Sequence, residues 1–366
     1  MTHPTRCYYR ETVTRRIEID NFLVFKNYFE IDFCPGINVI TGGNGTGKTT
    51  LLKLLYAVRS SFDNAEYWLQ CDGTGNEVEI GEEPSPGSFD FVNINEYFSG
   101  DKKAESKVWL TDASCKTNGY DDSIIAHVNG DMVRIYFDVS GLDLTEDEEE
   151  YHNAVFIPEK DILSHARGLL ALNHVRKISF DRTYMDIISC AEMGETKALS
   201  SMSRRILDKL SGITGGEVLY ENGEFYMQKS NNLKIPFSFE ASGYRKLGLL
   251  WKLIRNGLLE RGSALFWDEP ENSLNPDLMS DLVDVLLELQ RGGVQIFIST
   301  HSDILARYFD ANKMMNDNIK FFSLFEENGQ IKADTVERFD LLEPNSLTQA
   351  RISLYEKEVT KGVGNG

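Results

Sequence analysis

A chain of 366 residues, 41% of them apolar and 26% charged, carries enough hydrophobic surface for one large core or two modest ones, which excludes a disordered polymer. Its 38 basic against 57 acidic residues leave a net charge of −19, which disfavours a broad, non-specific surface for nucleic acid or anionic membrane and leaves room for a local basic groove. The cysteines, Cys7, Cys34, Cys71, Cys115 and Cys190, are odd in number and contain no C-x-x-C pair, which argues against a disulfide framework or zinc cluster and for reduced thiols.

The first twenty residues, MTHPTRCYYRETVTRRIEID, lack the apolar core of an export signal, and no run approaches the ~20 apolar residues that cross a bilayer. A soluble, cytoplasmic protein without membrane partners is expected. Ile17 to Asp20 and Phe29 to Phe33 alternate apolar and polar residues on either side of Lys26-Asn27 and read as two antiparallel strands. The strand-like run Ile37 to Ile40 follows, and then GGNGTGKT, which fits the phosphate-binding pattern G-x-x-x-x-G-K-[ST]. Its glycines let successive N–H groups turn inward around an anion, and Lys48 adds a positive charge. Thr49 offers a hydroxyl to Mg²⁺, and the helical run Thr49 to Val58 presents its positive N-terminal end to the same phosphates. Gly42, Gly43, Asn44, Gly45, Thr46, Gly47, Lys48, Thr49 and Thr50 are therefore the expected nucleotide contacts.

From 63 to 153 the pattern turns to short β-like pieces: Phe89 to Ile94, Lys107 to Thr111, Ile124 to Val128 and Met132 to Val139. Asn129-Gly130 marks a hairpin between the last two, and Thr145 to Glu150 is a solvated acidic loop. This stretch is expected to be a β-rich insertion. Helical spacing returns in Ile162 to Leu172, Tyr184 to Ala191 and Leu199 to Leu210, which predicts a helical lobe over 154–212. Asn222-Gly223 and Asn328-Gly329 mark two further hairpins. The expected nucleotide head comprises 15–62 and 213–345, and 346–366 is expected to be a C-terminal tail.

The second half of the site is expected from ALFWDEP, Ala264 to Pro270, an apolar strand ending in two carboxylates where α/β sheets bind ligands. Asp268 suits Mg²⁺, and Glu269 suits a general base toward the attacking water. After one helix, Asp277 to Gln290, the strand Val294 to Thr300 delivers His301, whose imidazole suits a γ-phosphate oxygen. Ser242 and Gly243 open a predicted helix running to Asn256, a second candidate anion site or simply an N-cap.

Together GGNGTGKT, ASGYRK, LFWDEPENSLNP and ISTHSD, in that order, resemble the ABC-type ATPase heads of the SMC, RecF and overcoming-lysogenization-defect group over about residues 15 to 60 and 235 to 330. The resemblance implies an α/β P-loop NTPase of ABC type, with a mixed sheet, an N-terminal antiparallel subdomain and an inserted lobe. It also implies a homodimer or higher oligomer in which Ser242 and Gly243 of one copy close over the ATP and Mg²⁺ of the other. Lys48, Glu269 and His301 are then the catalytic set, with Thr49 and Asp268 on the metal. Asn275 stands where the family carries the Asp of Ser-Ala-Leu-Asp, and Tyr244-Arg245-Lys246 replaces Gly-Gln-Gln of the transporters. Glu159 or Lys160 occupies the γ-phosphate-sensing place, with Gln70 an alternative Gln-loop residue.

The interval from Lys48 to Ser242 lacks the heptads of a chromosome tether, and about sixty-five residues follow His301, too few for a Toprim nuclease. What remains similar is a compact, nuclease-free head of the kind found in bacterial anti-phage and abortive-infection operons, which implies a slow ATP-driven switch acting on a separate nuclease or toxin effector. Two other readings stay open, a RecF-like DNA-binding repair ATPase and an ATP-binding scaffold that does not hydrolyse.

Overall fold

The computed structural model describes residues 5–63, 67–69, 108–111, 122–128, 133–143, 154–169 and 181–364. The expected strand at Phe89 to Ile94, the Asn129-Gly130 turn, the acidic run Thr145 to Glu150, and Gln70, Cys71 and Cys115 lie outside them.

The two N-terminal strands are longer than their alternation suggests. β1 (Thr5–Phe22) pairs antiparallel with β2 (Phe25–Asp32), with Ile17 opposite Ile31. β3 (Ile37–Gly42) then runs into α1 (Lys48–Asp63). After the short β4 (Tyr67–Leu69) come β5 (Val108–Thr111), β6 (Asp122–Val128) and β7 (Val133–Asp143). The stretch expected as an insertion is wired into the N-terminal strands, because β7 pairs along β1 and the sheet runs β2-β1-β7-β6-β5. A parallel strand, β8 (Ala154–Ile157), leads into the helical lobe of α2 (Arg182–Glu192) and α3 (Ser201–Thr214). Of the helix expected over Ile162 to Leu172, Leu163–His165 forms one 3-10 turn and 170–172 lie outside the described residues.

Both remaining Asn-Gly turns join the strands they separate in sequence. β9 (Gly216–Glu221) and β10 (Glu224–Lys229), with β11 (Lys234–Pro236), make a three-stranded sheet. The chain continues through α4 (Ser242–Arg255), β12 (Ala264–Asp268), α5 (Met279–Arg291), β13 (Gln295–Ser299) and α6 (Asp303–Asn312). It then forms the hairpin β14 (Ile319–Glu327) and β15 (Gln330–Val336). The segment expected as a tail is α7 (Ser346–Gly364), which leaves Ile352, Leu354, Tyr355 and Val359 exposed.

The central sheet runs β15-β14-β3-β13-β12-β8 and is parallel except for its β15 edge. Parallel strands with both faces covered read as continuous apolar runs, and β12 and β13 are buried along their whole length. Successive side chains alternate between two cores. Val39, Trp267 and Ile298 face the helices, while Ile40, Phe266 and Phe297 face α1 and the β1–β2–β7 strands. Phe266 and Phe297 stack with centroids 4.8 Å apart.

Polar ties join the layers. Gln295, buried in β13, accepts from Thr14 N at 2.8 Å and donates to the Thr14 and Cys34 carbonyls, each at 2.8 Å. Buried Arg59 of α1 donates to the carbonyls of Thr12 and Gly262. An unsatisfied group at such depth costs about 1–3 kcal/mol, so these pairings fix the register of the layers as well as their contact. The expected α/β fold, with a mixed sheet, antiparallel N-terminal strands and a strand, phosphate loop and helix in succession, is the fold observed. No described helix is long and apolar enough to cross a membrane.

Candidate active site

The parallel register lines up the carboxyl ends of four strands. Asp268 of β12 lies beside Ser299 of β13, Ser299 beside Ile40 of β3, and Trp267 beside Ile157 of β8. The loops that leave these ends, 43–47, 269–275, 300–302 and 158–162, therefore open side by side, which is where open α/β sheets bind ligands.

The loop after β3 holds its shape by backbone angles that only glycine takes easily. Gly47 has φ +90, and a Cβ there would lie 2.6 Å from Val24 Cγ2 and 2.9 Å from Phe25 Cζ, so both angle and space demand glycine. Thr46 Oγ1 donates to Gly43 O at 2.9 Å. Lys48 Nζ reaches back over the loop to Gly42 O at 3.0 Å and Gly43 O at 2.9 Å, while Gly43, Asn44 and Gly45 remain exposed at the rim. Burial holds the Lys48 pKa below that of an ordinary lysine, against the pull of Glu269, Asp268 and Glu271. An anion in the loop would restore the environment that its ammonium lacks.

Thr49 Oγ1 lies 3.1 and 3.0 Å from the two Asp268 carboxylate oxygens, and Ser299 Oγ also donates to Asp268. Hard oxygen donors of this kind suit Mg²⁺. Among the described residues there is no cluster of three or more acidic, His or Cys side chains.

Glu269 begins the loop after β12 in the left-handed region, at φ 47, with its N–H on Ser299 O at 3.1 Å. His301 Nε2 stands 3.3 Å from Glu269 Oε1. Burial, then Glu159, Asp268 and Glu271, push the Glu269 pKa above the usual carboxylate value. Burial and then Lys48 push His301 down, so the neutral imidazole is favoured. The structure thus brings Lys48, Thr49, Asp268, Glu269 and His301 into one crevice.

Ser242 and Gly243 stand apart: no hydrogen bond among the described residues joins them to the phosphate loop. Ala241, not Ser242, is the N-cap of α4, and it gives no side-chain cap. Ser242 Oγ instead donates to Ser273 O at 3.1 Å, and a Cβ at Gly243 would press Leu274 Cδ1 at 3.2 Å. The first N–H groups of α4 are thereby left for an outside acceptor. Asn275 accepts from Asp277 N at 3.3 Å and caps the 3-10 turn Pro276–Leu278. Of the two candidates after β8, Glu159 joins the site, accepting from Asn272 Nδ2 at 2.7 Å.

Sequence reasoning missed Lys246 and Glu271. Lys246 is a buried residue of α4 whose Nζ donates to Glu269 O at 3.0 Å and to Pro270 O at 3.4 Å. Burial brings its pKa down to about 8, opposed chiefly by Glu271 and Glu159. Glu271 accepts from Thr300 and His301. A lysine inside an amphipathic helix and a glutamate after proline both look solvated until the strand register is known.

The sequence matches a family described as "AAA domain, putative AbiEii toxin, Type IV TA system" over residues 121–307, and one described as an AAA domain over residues 16–58. Over 94 residues it is 32% identical to the structural maintenance of chromosomes protein 3 homolog of Plasmodium falciparum (isolate 3D7), a match covering 26% of this chain and 8% of that protein. Among solved structures it is similar to the SMC head domain from Thermotoga maritima, with 14% identity, 89% of this chain and 99% of that one covered, and a TM-score of 0.44. It is also similar to the Smc head domain with an extended coiled coil bound to the C-terminal domain of ScpA derived from Pyrococcus furiosus. There identity is 13%, coverage 95% and 100%, and the TM-score 0.45.

Proposed function

The chain belongs to the AAA-domain family matched over residues 121–307, and on that premise we propose that it is an ATP-hydrolysing switch that dimerises around two Mg-ATP molecules. The observation that carries this reading is the Glu269–His301 pair, 3.3 Å apart, beside the Thr49–Asp268 pair and Lys48. Loop N–H groups and Lys48 hold the β- and γ-phosphates, and Thr49 and Asp268 hold the metal. A Mg²⁺ bound there would supply charge neutralisation on the phosphate oxygens. Glu269 takes a proton from the attacking water while the bond from the γ-phosphorus to the β–γ bridging oxygen breaks, giving ADP and phosphate. His301 steadies a γ-phosphate oxygen. The uncapped start of α4, with Ser242 and Gly243, closes over the partner copy's nucleotide.

In this reading a separate effector, a nuclease or toxin, reads the dimer in an anti-phage role, and the words "putative AbiEii toxin, Type IV TA system" in the family's description support a link to a toxin system. The net charge of −19 speaks against a DNA clamp. In light scattering, Glu269→Gln protein should double its mass with ATP and Mg²⁺, and a second substitution, Ser242→Arg, should keep it monomeric. A mass that ignores ATP in the first variant rejects the sandwich.

The titrating groups set the pH dependence. Glu269 must be ionised to accept a proton, so kcat/KM rises with pH through its elevated pKa. Lys246 is ammonium below about 8 and neutral above it, so its grip on the Glu269 and Pro270 carbonyls weakens on the alkaline side. A bell-shaped profile with a falling limb near pH 8 is expected. Lys246→Arg, charged throughout, should move that limb to higher pH. An unmoved limb would assign it to another group.

A further inference from the structure

We infer that Glu271 is a positioning residue that presents His301 to the reacting γ-phosphate, a step that rests on the hydrolytic reading above. One carboxylate oxygen, Oε1, accepts from Thr300 Oγ1 at 2.7 Å and from His301 N at 2.8 Å. It is a junction between two strand ends: Glu271 follows β12, and Thr300 and His301 follow β13. Thr300 has no freedom to move away from it. Its side chain is fully buried, its N–H is held by Ile40 O at 3.0 Å, and its hydroxyl oxygen accepts from Ser302 N at 2.9 Å. Ser302 in turn caps α6 through Leu305 N at 3.1 Å.

Glu271 is itself fixed. Leu274 N donates to its carbonyl at 3.0 Å, and the next residue, Asn272, is tied to Glu159 at 2.7 Å. Its second oxygen, Oε2, is buried with no hydrogen-bond partner among the described residues. The loop that carries the proposed base at Glu269 thus also carries, two residues on, the strut that sets the backbone of His301. The distance between base and imidazole is governed by one short loop rather than by two independent ones. A misplacement of about 1 Å at such a group costs on the order of 100-fold in rate.

The test compares kcat and KM for ATP in Glu271→Ala, Glu271→Gln, His301→Ala and the Glu271→Ala/His301→Ala double variant. Glu271→Ala should lose on the order of 100-fold in kcat with KM unchanged. Glu271→Gln, whose amide oxygen still accepts both bonds, should recover most of that. The double variant should be no slower than His301→Ala alone, because the strut has nothing left to place. Losses that multiply, or a Gln variant as slow as Ala, would overturn the assignment. Should Glu271→Ala fail to fold, Glu271→Asp, which keeps the charge but draws the oxygen back, carries the same expectation.

A second readout needs no turnover. The His301 imidazole resonance in NMR spectra should shift in Glu271→Ala and return in Glu271→Gln, and an unmoved resonance overturns the proposal. If the wild-type protein does not hydrolyse ATP, the hydrolytic reading fails, and this readout still decides whether Glu271 places the ring.

Discussion

Replacing Glu269 with glutamine is expected to slow phosphate release by about 10²–10⁴-fold, the span that a positioned general base supplies, while ATP still binds. Glutamine is nearly isosteric and keeps an oxygen for the contact with His301 Nε2. It occupies the same left-handed position at φ 47, so any strain there, about 1–3 kcal/mol for a non-glycine residue, is common to both proteins. What the substitution removes is the proposed proton acceptor. Burial and the carboxylates of Glu159, Asp268 and Glu271 raise the affinity of this proposed acceptor for a proton. Removing the charge also relieves repulsion with those carboxylates and with incoming phosphate, so nucleotide affinity should rise if it changes. Single-turnover hydrolysis beside equilibrium binding separates the two effects. A variant that releases phosphate at the wild-type rate would show that another group activates the water.

The division between what the residues announced and what they concealed follows the range of the interactions. The phosphate loop was legible because strand, turn and helix are contiguous: β3, the loop and α1 use one local pattern, and Gly47 meets Val24 and Phe25 only twenty-odd positions away. Asp268 and His301 were legible because each ends a buried apolar run. Lys246 and Glu271 were not, because their partners are chosen by how β12 falls beside β13 and how α4 packs behind them, which no local period encodes.

Ser242 reads as an N-cap by residue type, yet the approach of Ser273 O draws its hydroxyl away, and the helix starts one residue after Ala241. Glycines near the C-terminus suggested a tail, although the preceding run from Ser346 to Lys361 holds neither glycine nor proline and folds as α7. In the same way, the β-like pieces after residue 63 gave no hint of their partner, since the pairing of β7 with β1 spans more than a hundred residues.

Lys48→Ala should cost the protein its nucleotide while leaving its fold no weaker. The ammonium is only 6% exposed and lies among loop carbonyls, and its lowered pKa has burial as the first cause, so without phosphate it is a poorly solvated charge. Truncating one side of such a charge-assisted contact in the complex costs about 2–5 kcal/mol, roughly 30- to 4,000-fold in ATP affinity. The sign of the stability effect is opposite. Because the folded state holds the Lys48 proton less tightly than the unfolded chain does, wild-type stability should rise as pH climbs from the lowered pKa toward the ordinary lysine value. The alanine variant should lack that increment and unfold no earlier than wild type at neutral pH without ligand. Adding ATP and Mg²⁺ should then raise the wild-type melting temperature and leave that of Lys48→Ala where it was, as mass action requires of a ligand that no longer binds. A variant that melts well below wild type without nucleotide would show that Lys48 holds the loop together rather than waiting for the phosphate, and an ATP-induced shift that persists would place the triphosphate elsewhere.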